Sequence, residues 1–576
     1  MTDSPYLKKP TTGVSGCPTC SLDVIVSVYF DRFGFISKPG DLDHSSNIGR
    51  LAFGLALPVG IDADISSNLG LVRKTKHYKH YVPGLGTPFK PGSFIKTGAA
   101  LVIEAVADLP KEAAKDKGKE VAKDSFKKGV SQMLKEQTGL SATAWRTNWE
   151  RMYKRGSKAL AKSGLSAKQT ATTARLALKH AGDVAGGVSK MGLSVGSEIA
   201  KAAAKAALLA VVEDTEASDT TAIAKLMRTG HKKRLEDAWE FVRQTIEDNQ
   251  ADIKPPGKIE VGNVRIYIFG AEWGGTLARM FANKIANKCE KVGNKLMYKG
   301  IEVQIPFVGL FDCANSSSGN KFVQMAFDYT PVLGTLDDVD LPKYVGAALH
   351  IYGAHERGYM YASLDKSEAQ AKYECALPGI ASDVCGGKLL KHETGMAHLE
   401  IAKVSLCQMH AIARSYGAPF AHPDSPGPEA QNFARLMKPD FLLNGKDIHE
   451  HMAHYLHMTD TATAGPEEAL RASREWFVKW MRSLYDGSNH GKDLSVAVAQ
   501  GGEQAKSFLE DLRTMVTSLE RESKRAAQLV PSAMEYQLAQ LWASKEQLDD
   551  PYVGAFLLNF THFRRSQYPL TFRQIA

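Results

Sequence analysis

Apolar residues fall along the chain in two patterns. Leu22 to Phe30 (LDVIVSVYF), Val264 to Phe269 (VRIYIF) and Val303 to Phe311 (VQIPFVGLF) are short, continuous, β-branched and aromatic runs, each ending at small or acidic residues. Such runs predict strands buried on both faces of a parallel sheet, with chemistry gathered outside their carboxyl ends. The second pattern is helical. Ala113, Ala114, Val121, Ala122, Phe126, Val130, Met133 and Leu134 recur at helical spacing with Lys and Glu on the other face, which predicts an amphipathic helix. Trp476 to Leu484 and Ser507 to Arg525 continue the helical pattern toward the carboxyl end. The chain then divides into an N-terminal segment at 1–20, an α/β core in two parts at 21–96 and 231–429, a large helical insertion at 97–230 and a helical C-terminal region at 430–576.

Composition narrows the class. Of 576 residues, 44% are hydrophobic and 23% charged, values of a folded chain that exclude global disorder, a collagen-like repeat and a disulfide scaffold. The net charge of +9 is mild for this length, but it is local: 151–205 carries eleven Lys or Arg against Asp183 and Glu198. That stretch reads as a solvated helical face or as a surface drawn to anionic lipid; nucleic acid is not an expected partner. Gly186 to Val212, rich in Gly, Ala, Ser and Val with spaced lysines, fits a packed helical hairpin or a helix at a membrane surface. No apolar segment follows a basic start at the N-terminus, so a secretory signal is not expected, and no uncharged run of 18 apolar residues predicts a spanning helix. Seven cysteines fit reduced thiols in the cytoplasm of a producing cell, with any export by a route that needs no signal peptide.

Chemistry concentrates at Ile266 to Arg279 (IYIFGAEWGGTLAR), which reads as a strand, a tight turn flanked by Gly270 and Gly274, then a helix. In G-x-S-x-G elbows small flanking residues permit a strained turn that lifts a Ser oxygen above the sheet. Here the central residue is Glu272, followed by Trp273. Four further segments fall in a fixed order: Ser46 to Leu51 (SNIGRL), Tyr81 to Thr87 (YVPGLGT), Val308 to Asp312 (VGLFD) and Pro378 to Gly387 (PGIASDVCGG). With the elbow, Phe281-Ala282-Asn283 and Leu399 to Phe420, they resemble the type VI secretion phospholipase effectors. The patterns of that family are similar to F-D-G-T, T-N-I-x-R-L, Y-x-P-G-x-G-T, F-G-F-S-R-G-A-A-x-A-R-x-F-x-N, G-L-F-D-T and P-G-x-H-S-D-V-G-G-G. The resemblance covers about 20–90 and 230–420 and implies an α/β-hydrolase core.

It also implies a Ser-Asp-His triad at positions that read Glu272, Asp312 and Ala381 here. Two of the three are lost, F-D-G-T becomes Phe30-Asp31-Arg32-Phe33, and Trp273 stands where the elbow has Arg. Asp31 and Asp383 accompany the pocket. A triad acts as a unit, so serine-type hydrolysis is not expected, and Glu272→Ser without Ala381→His is not expected to rescue it. The expected function is that of an effector acting by membrane or protein binding. Its partners would be a spike or tube component, an immunity protein, or an anionic membrane met through 151–205. Two alternatives stand beside it: lipid or ester hydrolysis with altered chemistry through Glu272 and Asp312, and a structural or carrier module of the secretion apparatus. A carboxylate nucleophile at Glu272 needs a base for its water, from His392, His398 or His562.

No metal or other cofactor is expected; the resemblance implies that Asp312 and Asp383 lie on strand ends near Glu272, an acidic cluster of the kind that can hold a divalent cation. Cys17 and Cys20 lack two further zinc ligands and read as an exposed segment. His449, His451, His454 and His457 lack H-E-x-x-H spacing and read as helix surface. Gly84, Gly86, Gly386 and Gly387 read as loop formers without the Lys-Ser/Thr ending of a phosphate cradle.

Overall fold

The computed structural model describes residues 21–57, 60–66, 71–87, 89, 230–251, 260–313, 339–355, 363–387, 399–422, 428–460, 466–487, 540–548 and 550–561. The stretch 97–229, with the basic segment 151–205, lies outside the described residues, as do Cys17, Cys20, His392, His398, His562 and 507–525. The chain divides into two compact units. One comprises Met1–Pro83, Val242–Gly319 and Asp337–Thr571; the other comprises Gly84–Phe241, Asn320–Leu336 and Phe572–Ala576.

The first unit is a mixed α/β structure on a nine-stranded sheet. Its strands are β1 (Ser21–Phe30), β2 (Gly60–Ser66), β3 (Leu71–Val82), β4 (Glu260–Ala271), β5 (Glu290–Val292), β6 (Lys295–Tyr298), β7 (Ile301–Phe311), β8 (Val345–Gly353) and β9 (Ala371–Leu377). They run in the order β2-β3-β1-β4-β7, after which β6 and β5 follow the first residues of β7 while β8 and β9 follow its later ones. β3, β1, β4, β7, β8 and β9 are parallel. Register aligns their carboxyl ends: Phe30 lies opposite Val82 and Gly270, Ala271 opposite Phe311, and Phe311 opposite Ile351. The three apolar runs are β1, β4 and β7, each flanked on both edges. β8 is buried at every position for the same reason.

The described helices include α1 (His231–Ala251), α2 (Trp273–Lys288), α3 (Ala381–Cys385), α4 (Glu400–Ser415), α5 (Pro428–Met437), α6 (Ile448–Met458), α7 (Pro466–Gly487) and α8 (Pro551–Phe560). Gly309 of β7 lets α4 approach, since a Cβ there would stand 2.5 Å from the Met409 sulfur. α6 starts on a capping box, with Asp447 accepting from the His449 and Glu450 amides and Glu450 reaching back to the Asp447 amide. Its histidines are not all surface, contrary to expectation: His451 is buried, with Nε2 2.9 Å from the Leu443 carbonyl, because the helix buries that side against Phe560. Among the described residues no helix is long and apolar enough to cross a membrane. In the second unit, Arg234 donates to the Gly84 and Thr87 carbonyls and lies over the Phe89 ring, so the Gly84–Gly86 loop is held by a buried guanidinium.

At the start of α4, Glu400 is fully buried and its carboxylate lies 2.7 Å from Lys403 Nζ, which is also 2.7 Å from Asp440. Burial pushes the Glu400 carboxyl up to about 7, with Lys403 opposing. For Asp440 burial also pushes up, but Lys403 and Glu400 outweigh it and its pKa is lowered. A carboxyl raised above its unfolded value adds stability that is full below about pH 4.5 and is lost as pH rises through about 7. Urea midpoints across pH 4–8 should therefore fall less for Glu400→Gln than for the unaltered protein. Parallel profiles would remove Glu400 as the titrating group.

Candidate functional site

The elbow is built by steric demand at two glycines. β4 ends at Ala271 and α2 begins at Trp273, leaving one residue to reverse direction. A Cβ at Gly270 would collide with the Gly274 carbonyl, and one at Gly274 with the carbonyl oxygens of Phe30 and Asp31. Between them Glu272 is forced to φ 49°, ψ −117°, a region that side-chain-bearing residues rarely enter. Its amide donates to the Phe311 carbonyl at 2.8 Å, tying the turn to the end of β7. The backbone thus has the strained strand-to-helix geometry of a nucleophile elbow, with a carboxylate at its tip.

Asp312 follows β7 directly and also has positive φ, 44°. Its amide donates to the Ile351 carbonyl at 2.6 Å, and its Oδ1 accepts from the Gly353 amide at 2.8 Å. Ala381 opens α3 just beyond β9 and packs on Trp273, which also meets Phe33 edge-on at 4.7 Å. Positions 272, 312 and 381 therefore gather at the carboxyl edge of one sheet. Cys385, at the end of α3, registers the gathering: burial pushes its thiol well up, Arg32 opposes, and Glu272, Asp312 and Asp31 add to the rise.

Glu272 is 1% exposed and its Oε1 lies 2.5 Å from Arg32 NH2. NH1 of the same guanidinium donates to the Gly386 carbonyl at 2.6 Å. The sequence singled out Arg32 as a departure from a glycine pattern but not as a partner of Glu272. The available signal was two departures of opposite charge in one set of motifs.

Asp31 does not face this pair; its carboxylate is a hub. Oδ1 accepts from the Arg32 amide and the Ser46 hydroxyl, and Oδ2 from Ser37 and Tyr81. Burial raises its pKa against those four donors. Asn47 donates to the Val384 and Ala402 carbonyls, and Arg50 to those of Leu42 and Asp43. The motif segments around 31, 46–50, 81 and 384–386 are thereby hydrogen-bonded to one another. Asp383 Oδ2 accepts from the Ile380 amide at 2.7 Å, closing the first turn of α3.

Among the described residues, two buried imidazoles near the site are engaged by backbone amides. His350 Nε2 accepts from the Cys313 amide at 2.9 Å. His355 Nδ1 accepts from the Gly379 amide at 3.0 Å, the ring stacks on Phe477, and burial lowers its pKa to about 3, with Asp383 opposing. Among the described residues no group of three or more His, Cys, Asp or Glu is placed to hold a metal ion. Glu272, Asp312 and Asp383 each turn to a different partner, Arg32, Gly353 and Ile380.

The site defines an α/β protein with a G-x-E-x-G elbow at the carboxyl edge of a largely parallel sheet. No protein-family model matches the sequence, and neither does any curated protein. Among solved structures, an uncharacterized protein from Pseudomonas aeruginosa is similar at 16% identity and a TM-score of 0.42, over 94% of this chain and 66% of that one. The chain thus spans just under two thirds of that protein's length. The Tle1 effector, solved bound to the VgrG spike of the Type 6 secretion system, is similar at 11% identity and a TM-score of 0.35, over 82% of this chain and 87% of that one.

Proposed function

We propose that the chain is a type VI secretion effector of the phospholipase-like class, with an α/β-hydrolase core whose catalytic elbow is silent and whose work is binding. One observation carries this reading: a strained elbow presents a buried carboxylate already paired with Arg32, and the base position holds Ala381 on Trp273. The ordered motifs around it support the class. Hydrolysis through Glu272 is disfavoured, because a carboxylate neutralised by a guanidinium is a poor nucleophile. On this reading the chain waits in the producer's cytoplasm, leaves without a signal peptide and is delivered to a target cell. Its partners are a spike component, an immunity protein, or an anionic membrane reached through 151–205.

The decisive assay is hydrolysis of phospholipids and short-chain esters by the purified protein. Turnover indistinguishable from background is expected, and sustained turnover overturns the reading. Flotation with anionic and neutral liposomes at low and high salt, with and without 151–205, tests the membrane arm: each basic residue at an anionic surface contributes about 1 kcal/mol. Binding that ignores lipid charge, or survives the deletion, removes that arm. Copurification with the spike tests the other.

A further inference from the structure

The Arg32 guanidinium is held on three sides. NH2 meets Glu272 Oε1 at 2.5 Å, NH1 meets the Gly386 carbonyl at 2.6 Å, and the Phe35 ring centroid lies 4.7 Å from its central carbon. Phe35 is itself pressed on Gly387, where a Cβ would stand 2.5 Å from the ring. The loop that carries Arg32 is tied at both ends to one phenol: the Tyr81 hydroxyl donates to Asp31 and accepts from the Ser37 amide at 2.7 Å. Arg32 is 2% exposed. Its guanidinium therefore fills the space between the tip of the elbow and the segment that follows α3. A reactant that approaches the side chain at 272 from the side of the segment after α3 meets the guanidinium first.

We propose that Arg32 is a plug built into the chain, which occupies the space between the elbow tip and the segment after α3 from within and keeps it closed to a reactant. The proposal deepens the silent-elbow reading and rests on it. Two consequences follow from the geometry. With Ser at 272 and His at 381 the guanidinium keeps the Gly386 carbonyl and the Phe35 ring, so the space stays shut until Arg32 is removed. Removing the plug alone leaves a hollow bounded by a carboxylate, a carbonyl and an aromatic face, a set that recognises a small planar cation of the guanidinium class.

The first test compares full-length Glu272→Ser/Ala381→His with the same protein carrying Arg32→Gly as well. The probe is an alkyl fluorophosphonate: the serine oxygen attacks phosphorus, fluoride leaves, and the hydroxyl proton passes to the imidazole. Labelling at least about tenfold faster in the triple variant is expected, and equal labelling of the two, including none in either, overturns the plug. The second test decides alone if the triple variant does not fold. Ethylguanidinium should raise the Tm of Arg32→Gly by about 1–3 °C over an equal concentration of ethylammonium. It should not do so for the unaltered protein or for Arg32→Gly/Glu272→Gln, and a uniform shift overturns the proposal. Turnover by the unaltered protein would overturn both the silent elbow and the plug, whereas equal labelling of the two variants overturns the plug alone.

Discussion

Glu272→Ala is expected to destabilise the protein by about 3–5 kcal/mol, because it leaves the Arg32 guanidinium buried without its carboxylate. Alanine and glutamate meet the same backbone cost at φ 49°, so the strained turn contributes little to the difference. The Gly386 carbonyl still accepts from NH1, but a neutral acceptor does not offset a buried positive charge. The control is Arg32→Met with Glu272→Leu, which removes both charges at once. Replacing a buried pair by apolar groups of similar volume is often neutral or stabilising, so the double variant should recover most of the loss. Urea unfolding at constant slope measures each step. A Glu272→Ala variant within 1 kcal/mol of the unaltered protein would show that the pair is not a structural element of the elbow.

The sheet was legible in part, and the reason lies in particular strands. β1, β4 and β7 announce themselves by unbroken β-branched and aromatic runs, because both their edges and both their faces are covered. β8 (VGAALHIYG) is equally buried, yet Gly346, Ala347 and Ala348 thin its strand signature. β3 (LVRKTKHYKHYV) reads as a basic, polar stretch, although it pairs along both edges, with β1 and β2. Neither carries an unbroken β-branched and aromatic run. The positions of the elbow were legible because Gly270 and Gly274 answer a steric demand that leaves no alternative residue. What Glu272 does was not, since its partner lies 240 residues earlier in sequence and only the fold brings the two charges within 2.5 Å. Nor did spacing reveal that Asp31, Ser46 and Tyr81 share hydrogen bonds; only the register of β1 against β3 sets Asp31 beside Tyr81.

Gly274→Ala is expected to cost at least about 3 kcal/mol, the upper end of overpacking penalties, and to reduce soluble yield. The new methyl would meet the carbonyl oxygens of Phe30 and Asp31, which belong to backbone and cannot swing aside as a side chain would. Phe30 is the last residue of β1, paired with β3 on one edge and β4 on the other, so moving it breaks register on both sides. Moving α2 instead breaks the bond from the Glu272 amide to the Phe311 carbonyl. Gly40→Ala provides the comparison: nothing lies within 4 Å of its added carbon and its backbone is not left-handed, so it should change stability by well under about 1 kcal/mol. The two elbow variants are separable by their response to a second substitution. Removing the Arg32 charge should relieve most of the Glu272→Ala loss and none of the Gly274→Ala loss, because the first is a buried charge that has lost its carboxylate and the second is a collision of backbone with a methyl. If Arg32→Met relieved both alike, the elbow would be held by the ion pair alone, and the close approach of α2 to the end of β1 would have no part in fixing Glu272 at its strained angle.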